Sequence, residues 1–305
     1  MSKIHKSPPL PPGTKPLSNQ VAGHKSGDGI GCLEVDDGTI LKHVQYPPKG
    51  QRELDFYNNV FMADSKDDIL QELWPFIPKF YGVVGEDKNG SVAQHKYLKL
   101  ENLMKNLSKP CVVDIKMGKK TYDPEASADK IALEIAKFPP VMQLGYQFSG
   151  ILKFDLDQDK MVKYDKYFCK TLTETTMTVE GLGLFFKQGK HYRKDCIQAV
   201  IDKLKKIEAW FLKQKKYAFY ASSLLIVYDA STDTSKGHDE EDIALCKQSD
   251  NTTSCLYYSH GNKPRSYVDV RMIDFTHVFP SDEPDDNYIF GLQNLIKHLE
   301  SLMEL

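Results

Sequence analysis

A carboxylate inside an apolar strand constrains this chain most. Residues 111–115 are a short run of apolar residues that predicts a buried strand, and Asp114 interrupts it. Burial of a carboxylate is unfavourable unless the group is paired or takes part in chemistry. Because residues i and i+2 of a strand share a face, Asp114 and Lys116 point the same way. The pair is therefore either a structural ion pair or part of a phosphate-binding site.

A second carboxylate ends another apolar strand. Residues 267–275 predict a strand that reaches Asp274, and residues 220–228 predict a strand that carries Ser222 and Ser223. A carboxylate at a strand end, opposite a hydroxyl-bearing strand, is a candidate magnesium ligand. The alternative is an aspartate that caps a turn.

Two amphipathic helices follow from apolar and charged periodicity. Residues 126–138 predict a helix that two prolines end, and residues 194–214 predict a longer helix whose lysines, including Lys203, face solvent. One stripe of the shorter helix is formed by Lys130, Leu133, Glu134 and Lys137. That stripe is either a surface face with a Lys130–Glu134 ion pair or a binding face for anionic groups.

Composition limits the class of protein. The chain has 305 residues, of which 41% are hydrophobic and 27% charged, enough for one two-lobed domain or two small ones. A net charge of −2 makes no nucleic-acid site evident. Six scattered cysteines without a CxxC pair argue against a zinc site and fit a reducing compartment. We expect no signal peptide and no transmembrane segment.

Two segments are predicted to be disordered. Residues 1–18 are rich in proline and lysine, and residues 230–263 are acidic and polar with few aromatic side chains. Neither segment carries enough apolar surface to form a core.

The N-terminal region predicts a glycine-rich loop before a hairpin. Residues 23–31 hold four glycines, and an Asp-Gly turn at Gly38 separates two apolar runs, the second of which ends at Lys42. Such a glycine pattern is by itself a weak signal and equally typical of an ordinary loop. Because the chain has no Gly-x(4)-Gly-Lys-Ser/Thr, it is not a P-loop enzyme.

Four motifs in order carry a family resemblance. The pattern Pro-x-x-x-Asp-x-Lys-x-Gly at residues 110–118 resembles the signature of the inositol polyphosphate kinase family. Further matches are residues 20–24, residues 222–225, and Asp274-Phe275 followed by His277. The sequence around these motifs most resembles the multikinase branch of that family. The resemblance spans roughly residues 20–305 apart from the acidic insert.

The resemblance implies an α+β fold with two lobes, distantly similar to protein kinases. A small lobe with an antiparallel sheet would span residues 19–103, and a larger lobe would span residues 104–305. The larger lobe would include a helical substrate-binding insert at residues 124–145. ATP, with Mg²⁺, would lie between the lobes.

The resemblance also assigns roles around the nucleotide. Lys42 would hold its phosphates and pair with Glu53, near the start of a helix predicted at residues 52–62. Without the resemblance, Glu53 would be interpreted as a solvated glutamate that the helix dipole favours. The backbone at Glu101 and Leu103 would contact adenine, and Asp114 would bind the ribose hydroxyls.

Metal and substrate roles fall on the larger lobe. Asp274, with Ser223, would hold magnesium. Lys116 would bridge the substrate and the transferred phosphate, so that Lys116, Asp274 and His277 form the catalytic set. The inositol phosphate would be bound by Lys116, Lys130, Lys137 and His277.

These roles imply a kinase that converts inositol tris- and tetrakisphosphates to the pentakisphosphate, with phosphoinositide headgroups as a further substrate. We expect a monomer located in nucleus and cytoplasm. Alternatives within the family are an inositol hexakisphosphate kinase and an inositol trisphosphate 3-kinase, and the short helical insert argues against the latter. An alternative of another class is a non-catalytic scaffold.

Overall fold

Two separate five-stranded antiparallel sheets organise the molecule. The computed structural model describes residues 10–22, 31–61, 67–85, 96–231 and 267–305. Together with the helices these sheets make a mixed α+β fold, as predicted.

The small lobe is built on the first sheet, whose strand order is β1-β2-β3-β5-β4. Its strands are β1 Thr14–Pro16, β2 Leu33–Val35, β3 Thr39–His43, β4 Phe80–Val84 and β5 Tyr97–Glu101. The predicted hairpin joins β2 to β3, and Gly38 takes the positive φ of 80° that its turn requires. Most of the glycine-rich loop, residues 23–30, lies outside the described residues.

The predicted disordered tail is wrong for part of residues 1–18. Strand β1 pairs antiparallel with β2, with Thr14 opposite Val35. Backbone pairing does not need apolar side chains, and Pro16 is tolerated in an outermost strand because its missing N–H leaves no sheet bond unmade. Residues 1–9 lie outside the described part of the chain.

The larger lobe is built on the second sheet, with the order β13-β12-β6-β7-β8. Its strands are β6 Pro110–Met117, β7 Tyr146–Asp155, β8 Lys160–Tyr164, β12 Ser223–Asp229 and β13 Val268–Ile273. Short pairs are formed by β9 Lys187–Gln188 with β10 His191–Tyr192, and by β11 Tyr217–Phe219 with β14 Val278–Pro280. Alternation along β6 sends Val113 and Ile115 into the main core and leaves Asp114 and Lys116 on the opposite face.

Eight helices are present in the described residues: α1 Lys49–Phe61, α2 Asp68–Gln71, α3 Ala128–Lys137, α4 Val141–Leu144, α5 Lys166–Cys169, α6 Leu184–Phe186, α7 Lys194–Lys213 and α8 Asp286–Met303. A 3₁₀ turn covers Trp74–Phe76 and a π-helix covers Met177–Gly183. Helices α7 and α8 pack against each other and bury one face each in the main core. None of the described helices combines the length and apolar character needed to cross a membrane.

Strand β8 ends at Tyr164 because Asp165 accepts the N–H groups of Tyr167 and Phe168 and so starts α5. One sequence prediction needs correction here. Lys203 was predicted to face solvent. It is buried instead, because Asp269 of β13 lies 2.5 Å from its Nζ.

The acidic insert connects two neighbouring strands. Residues 232–266 lie outside the described part of the chain. Of the segment predicted to be disordered, residues 230–263, the structure therefore describes only residues 230 and 231. There Ala230 is buried and its N–H donates to the carbonyl of Lys109 at 2.8 Å, so residue 230 belongs to the fold. The strands flanking the insert are hydrogen-bonded partners, with Tyr228 opposite Val268.

Candidate active site

A lysine of the small lobe bridges two carboxylates. The Nζ of Lys42, on β3, lies 2.7 Å from Glu53 Oε1 and 2.5 Å from Asp274 Oδ1. Burial alone would lower the pKa of Lys42, but Asp274 and Glu53 raise it well above its ordinary value. The predicted pairing of Lys42 with Glu53 is therefore present, and it extends to the carboxylate predicted to hold magnesium.

Glu53 is fixed by its surroundings. It lies fully buried on α1, and the same oxygen that meets Lys42 accepts the N–H of Phe275 at 3.0 Å. This contact ties the first helix to the residue that follows Asp274. The helix, the lysine and the second lobe therefore share one junction.

Asp274 directly follows β13 in a left-handed backbone conformation, with φ 65°. Aspartate tolerates that conformation better than most residues. The strand end places Ile273 opposite Ser223 of β12, and the turn after it points the Asp274 carboxylate at Lys42. The side chain remains 37% exposed, so it can reach a ligand in the cleft.

Asp114 lies beneath this junction. Burial, and then the negative charge of Asp274, raise its pKa to about 6, while hydrogen bonds from Ser223 and Ser149 and the charge of Lys116 act in the opposite direction. Its Oδ1 has no hydrogen-bond partner within the described ranges. An unpartnered buried oxygen is costly, which makes it a place where a ligand donor would be bound.

The sheet register brings the predicted residues of the larger lobe onto one face. Lys116 stands opposite Ser223, and Asp114 stands opposite Leu225. Ser223 is 1% exposed, and its hydroxyl lowers the pKa of Asp114, an effect that the sequence did not predict. Its predicted role as a metal ligand stays a prediction.

His277 has a partner that sequence reasoning missed. Its Nδ1 makes a short contact with Asp123 Oδ2, and Asp123 also accepts the N–H of Glu125 at 3.1 Å. Burial lowers the pKa of His277, Asp123 opposes the shift, and Lys49 and Lys130 reinforce it. The only signal was an Asp-Pro turn, which predicts a turn and not a partner 154 positions away.

Helix α3 lies on the surface near His277. Ser127 caps its start, and the helix buries none of its own residues. Its predicted ion pair forms differently: Glu134 Oε1 meets Lys137 Nζ at 2.5 Å instead of meeting Lys130. Because Glu134 lies about one turn from each lysine, either partner is within reach. Lys130 instead contributes to the charge around His277.

The linker between the lobes begins at the end of β5. The N–H of Glu101 donates to the carbonyl of Lys79 at 2.9 Å, so only its carbonyl remains a candidate for the predicted adenine contact. Leu103 packs in a small apolar cluster with Val21, Val112, Leu152 and Val227. The linker therefore lies on the same sheet face as Asp114, two residues along β6 from Val112.

The residues present fit a divalent cation held largely by a nucleotide. The described ranges contain no cluster of three or more His, Cys, Asp or Glu side chains suited to a metal. Magnesium is commonly held by one or two protein carboxylates and by phosphate oxygens and water. Asp274, partly exposed at a strand end, supplies a carboxylate of that kind.

A small antiparallel lobe with a lysine–glutamate pair, above a larger lobe with a strand-end aspartate, defines a kinase-like phosphotransferase. A family model described as inositol polyphosphate kinase matches residues 97–300. The chain belongs to the inositol polyphosphate kinase family, and it is an enzyme of that phosphotransferase class.

Two multikinases are similar along nearly the whole chain. Inositol polyphosphate multikinase of Rattus norvegicus is 34% identical, covering 98% of this chain and 95% of its own length. The Homo sapiens multikinase is 32% identical, covering 96% and 89%. Human inositol hexakisphosphate kinase 3 is 31% identical, but the match covers only 69% of this chain and 52% of the kinase.

Solved structures share the fold. Inositol phosphate multikinase Ipk2 of S. cerevisiae, in complex with ADP and Mn²⁺, superimposes with a TM-score of 0.61 at 21% identity, covering 87% of this chain and 99% of that one. A second structure, from studies of an inositol phosphate multikinase, has a TM-score of 0.59 at 20% identity, covering 82% and 99%. At these identities the likeness confirms the predicted architecture.

Proposed function

We propose that this chain is an ATP- and Mg²⁺-dependent multikinase that phosphorylates inositol tris- and tetrakisphosphates towards the pentakisphosphate. The observation that carries the proposal is the junction at Lys42, which holds Glu53 and Asp274 at 2.7 and 2.5 Å across the two lobes. Such a junction places a positive charge and a carboxylate where a nucleotide's phosphates and metal ion are handled together.

The nucleotide occupies the space between the linker and β6 in this proposal. Lys42 binds its phosphates, and the unpartnered Oδ1 of Asp114 accepts a ribose hydroxyl. The backbone of Leu103 and the carbonyl of Glu101 contact the adenine. The apolar cluster around Leu103 supports this placement, because a purine ring needs an apolar wall.

Asp274 holds the magnesium ion, with Ser223 as the proposed second ligand. When bound, magnesium neutralises the charge of the transferring group. Phosphoryl transfer otherwise asks for alignment more than for covalent chemistry by the protein. The turn after β13 places Asp274 beside Lys42, so the proposed metal ligand and the proposed phosphate-binding lysine lie next to each other.

The inositol phosphate lies between β6 and α3. Lys116 reaches it from the strand, Lys130 and Lys137 from the exposed helix, and His277 from beyond Asp274. Support comes from the charge that Lys130 and Lys49 exert on His277, which places cationic groups around it. Polyphosphorylated rings need such a set of separate positive charges.

Phosphoinositide headgroups are proposed as a second class of substrate. Helix α3 exposes Leu133, which is 65% accessible, beside its lysines, so an apolar and a basic side chain face outward together. A membrane surface presents both kinds of partner. The monomeric state and the nuclear and cytoplasmic location stay predictions.

The experiment incubates the purified chain with ATP, Mg²⁺ and inositol tris-, tetrakis-, pentakis- or hexakisphosphate, or with phosphoinositide vesicles, and separates the products. We expect tris- and tetrakisphosphates to be converted to the pentakisphosphate. Turnover of the hexakisphosphate alone would assign the chain to the other branch and overturn the proposal. Absence of product from every acceptor would contradict it altogether.

A further inference from the structure

Charged side chains of alternating sign run from the core of the larger lobe to the linker. Lys203 Nζ lies 2.5 Å from Asp269 Oδ1, and Asp269 Oδ2 accepts the Nε of Arg271 at 2.8 Å. Arg271 Nη1 then donates to the carbonyl of Ile77 at 3.0 Å and lies 3.9 Å from Glu101 Oε2. The network thus joins α7 and β13 to two segments of the small lobe, one at Ile77 before β4 and one at Glu101 at the end of β5.

Three of these four charges are buried. Asp269 is fully buried, while Lys203 and Arg271 are 7% and 6% exposed. Buried ion pairs contribute little net stability, because desolvation offsets their attraction. Two cations around one buried carboxylate exceed what Asp269 needs for neutrality. The second cation therefore calls for a role other than neutralising Asp269.

Of the two cations around Asp269, only Arg271 contacts the small lobe in the part of the chain that the structure describes. Lys203 contacts Asp269, whereas Arg271 also contacts the carbonyl of Ile77 and the carboxylate of Glu101. Lys79 joins those two segments, since its carbonyl accepts the Glu101 N–H at 2.9 Å and its N–H donates to Glu101 Oε2 at 3.2 Å. Arg271 therefore fastens the start of the linker to β13.

Strand β13 also delivers Asp274, three residues after Arg271. One strand thus sets the position of the linker and of the carboxylate opposite Lys42. We propose that Arg271 is a positioning residue that fixes the linker backbone and thereby sets the affinity for the nucleotide base. The inference rests on the proposed function, which takes the linker as the adenine contact.

The chain offers a matched pair of variants. Arg271→Met and Lys203→Met each remove one cation and leave Asp269 paired with the other, so neither strands a buried charge. We expect Arg271→Met to raise the KM for ATP about tenfold, which is about 1.4 kcal/mol. Lys203→Met should stay within about twofold of wild type, although both variants change the melting temperature. The KM for inositol trisphosphate should change in neither.

A second variant keeps the inference falsifiable if Arg271→Met does not fold. Glu101→Gln retains an acceptor for the Lys79 N–H and removes the charge that faces Arg271. We expect it to raise the KM for ATP by a smaller factor, and Arg271→Lys to restore part of the affinity lost in Arg271→Met. Equal KM values for ATP in the Arg271 and Lys203 variants, or a wild-type value in Glu101→Gln where Arg271→Met does not fold, would overturn the inference. Failure of the proposed function would appear separately, as a wild-type chain that transfers no phosphate from ATP.

Discussion

At the level of single residues, opposite charges meet in the cleft beside an aromatic cluster in which Phe56 and Tyr57 of α1 pack on Phe275. Lys42 has two carboxylate partners, whereas Asp114 has an oxygen with none in the described part of the chain. Small changes of charge there should alter function while the core, formed on the other face of the sheet, remains in place.

Asp274→Asn should lower kcat by at least about a hundredfold, because an amide cannot provide the charge that a metal ion and a transferring phosphate require. The fold should persist, since Lys42 keeps Glu53 and asparagine tolerates the φ of 65°. Steady-state kinetics and thermal unfolding measure the two effects. Asp55→Asn, on the exposed side of α1, is the control. A folded Asp274→Asn enzyme with wild-type kcat would remove Asp274 from the metal role.

Asp123→Asn should weaken binding of inositol phosphate. With a lowered pKa, His277 is neutral at pH 7, and a proton on its Nδ1 would be held by Asp123. The variant loses this orientation, so we expect the KM for inositol phosphate to rise about tenfold while that for ATP is unchanged. Asp129→Asn, an exposed aspartate in the first turn of α3, is the matched control. Equal constants in both variants would leave Asp123 with a structural role only.

Asp114 should make stability depend on pH in a defined window. Its pKa is raised from 3.8 to about 6, so between these values the folded state binds a proton that the unfolded state has lost. This stabilising contribution is present at low pH and disappears as the pH rises through about 6. Asp114→Asn should therefore gain stability relative to wild type between pH 5 and pH 7, by about 1 kcal/mol, because this window covers only part of the about 3 kcal/mol that corresponds to the full shift from 3.8 to about 6. Urea unfolding of both proteins at the two pH values tests it. Asp285, whose pKa is also raised to about 6, is shared by both and cancels.

Single elements show which parts of the site the sequence could predict. Period-two alternation correctly placed Asp114 and Lys116 on one face of β6, because that face is a local property of the strand. The prediction that Lys203 of α7 faces solvent was wrong, because its burial depends on Asp269, 66 positions away. The same limit applies to Asp123 and His277. Local patterns predict elements and faces, whereas partners across elements follow from tertiary packing.

Helix α3 permits a sharp test of the substrate site. Lys130 and Lys137 lie two turns apart, about 10.5 Å along the axis. At that separation each lysine can contact a different phosphate of one inositol ring. Replacing both with glutamate should raise the KM for inositol phosphate by orders of magnitude and leave the KM for ATP unchanged. Stability should fall by the lost Lys137–Glu134 pair, about 0.3–0.5 kcal/mol, and by a similar amount for each new like-charge pair with Glu134. Glutamate at two exposed lysines of another region, Lys206 and Lys215, is the control. An unchanged constant would make α3 a plain surface helix.

At the scale of the molecule, motif order was the strongest predictor. Strands β2, β3, β6, β12 and β13 appear where the sequence predicts strands, and the family assignment follows from motifs spread along the chain. The interlobe network at Arg271 was not predicted, because its four charges come from three separate stretches of sequence. Nothing local distinguishes them from surface residues.

The acidic insert should be dispensable for catalysis. It connects strands that are already hydrogen-bonded neighbours, and the N–H of Asp229 donates to the carbonyl of Tyr267 at 3.1 Å. Deleting residues 232–262 leaves enough chain to close a turn between them, so kinase activity should stay near wild type. Activity assays and thermal unfolding of the shortened protein measure this. Unfolding or loss of activity would show that the insert contributes to the structure.

The three-residue strand β1 has a consequence for how the protein behaves in solution. It covers the outward-facing N–H and C=O groups of β2, and it carries Lys15 and Pro16, which discourage further strand addition. A chain shortened to begin at residue 19 would leave β2 as an open sheet edge. Such an edge is a template for pairing between copies, so the short N-terminal strand protects the enzyme against aggregation as well as completing its sheet.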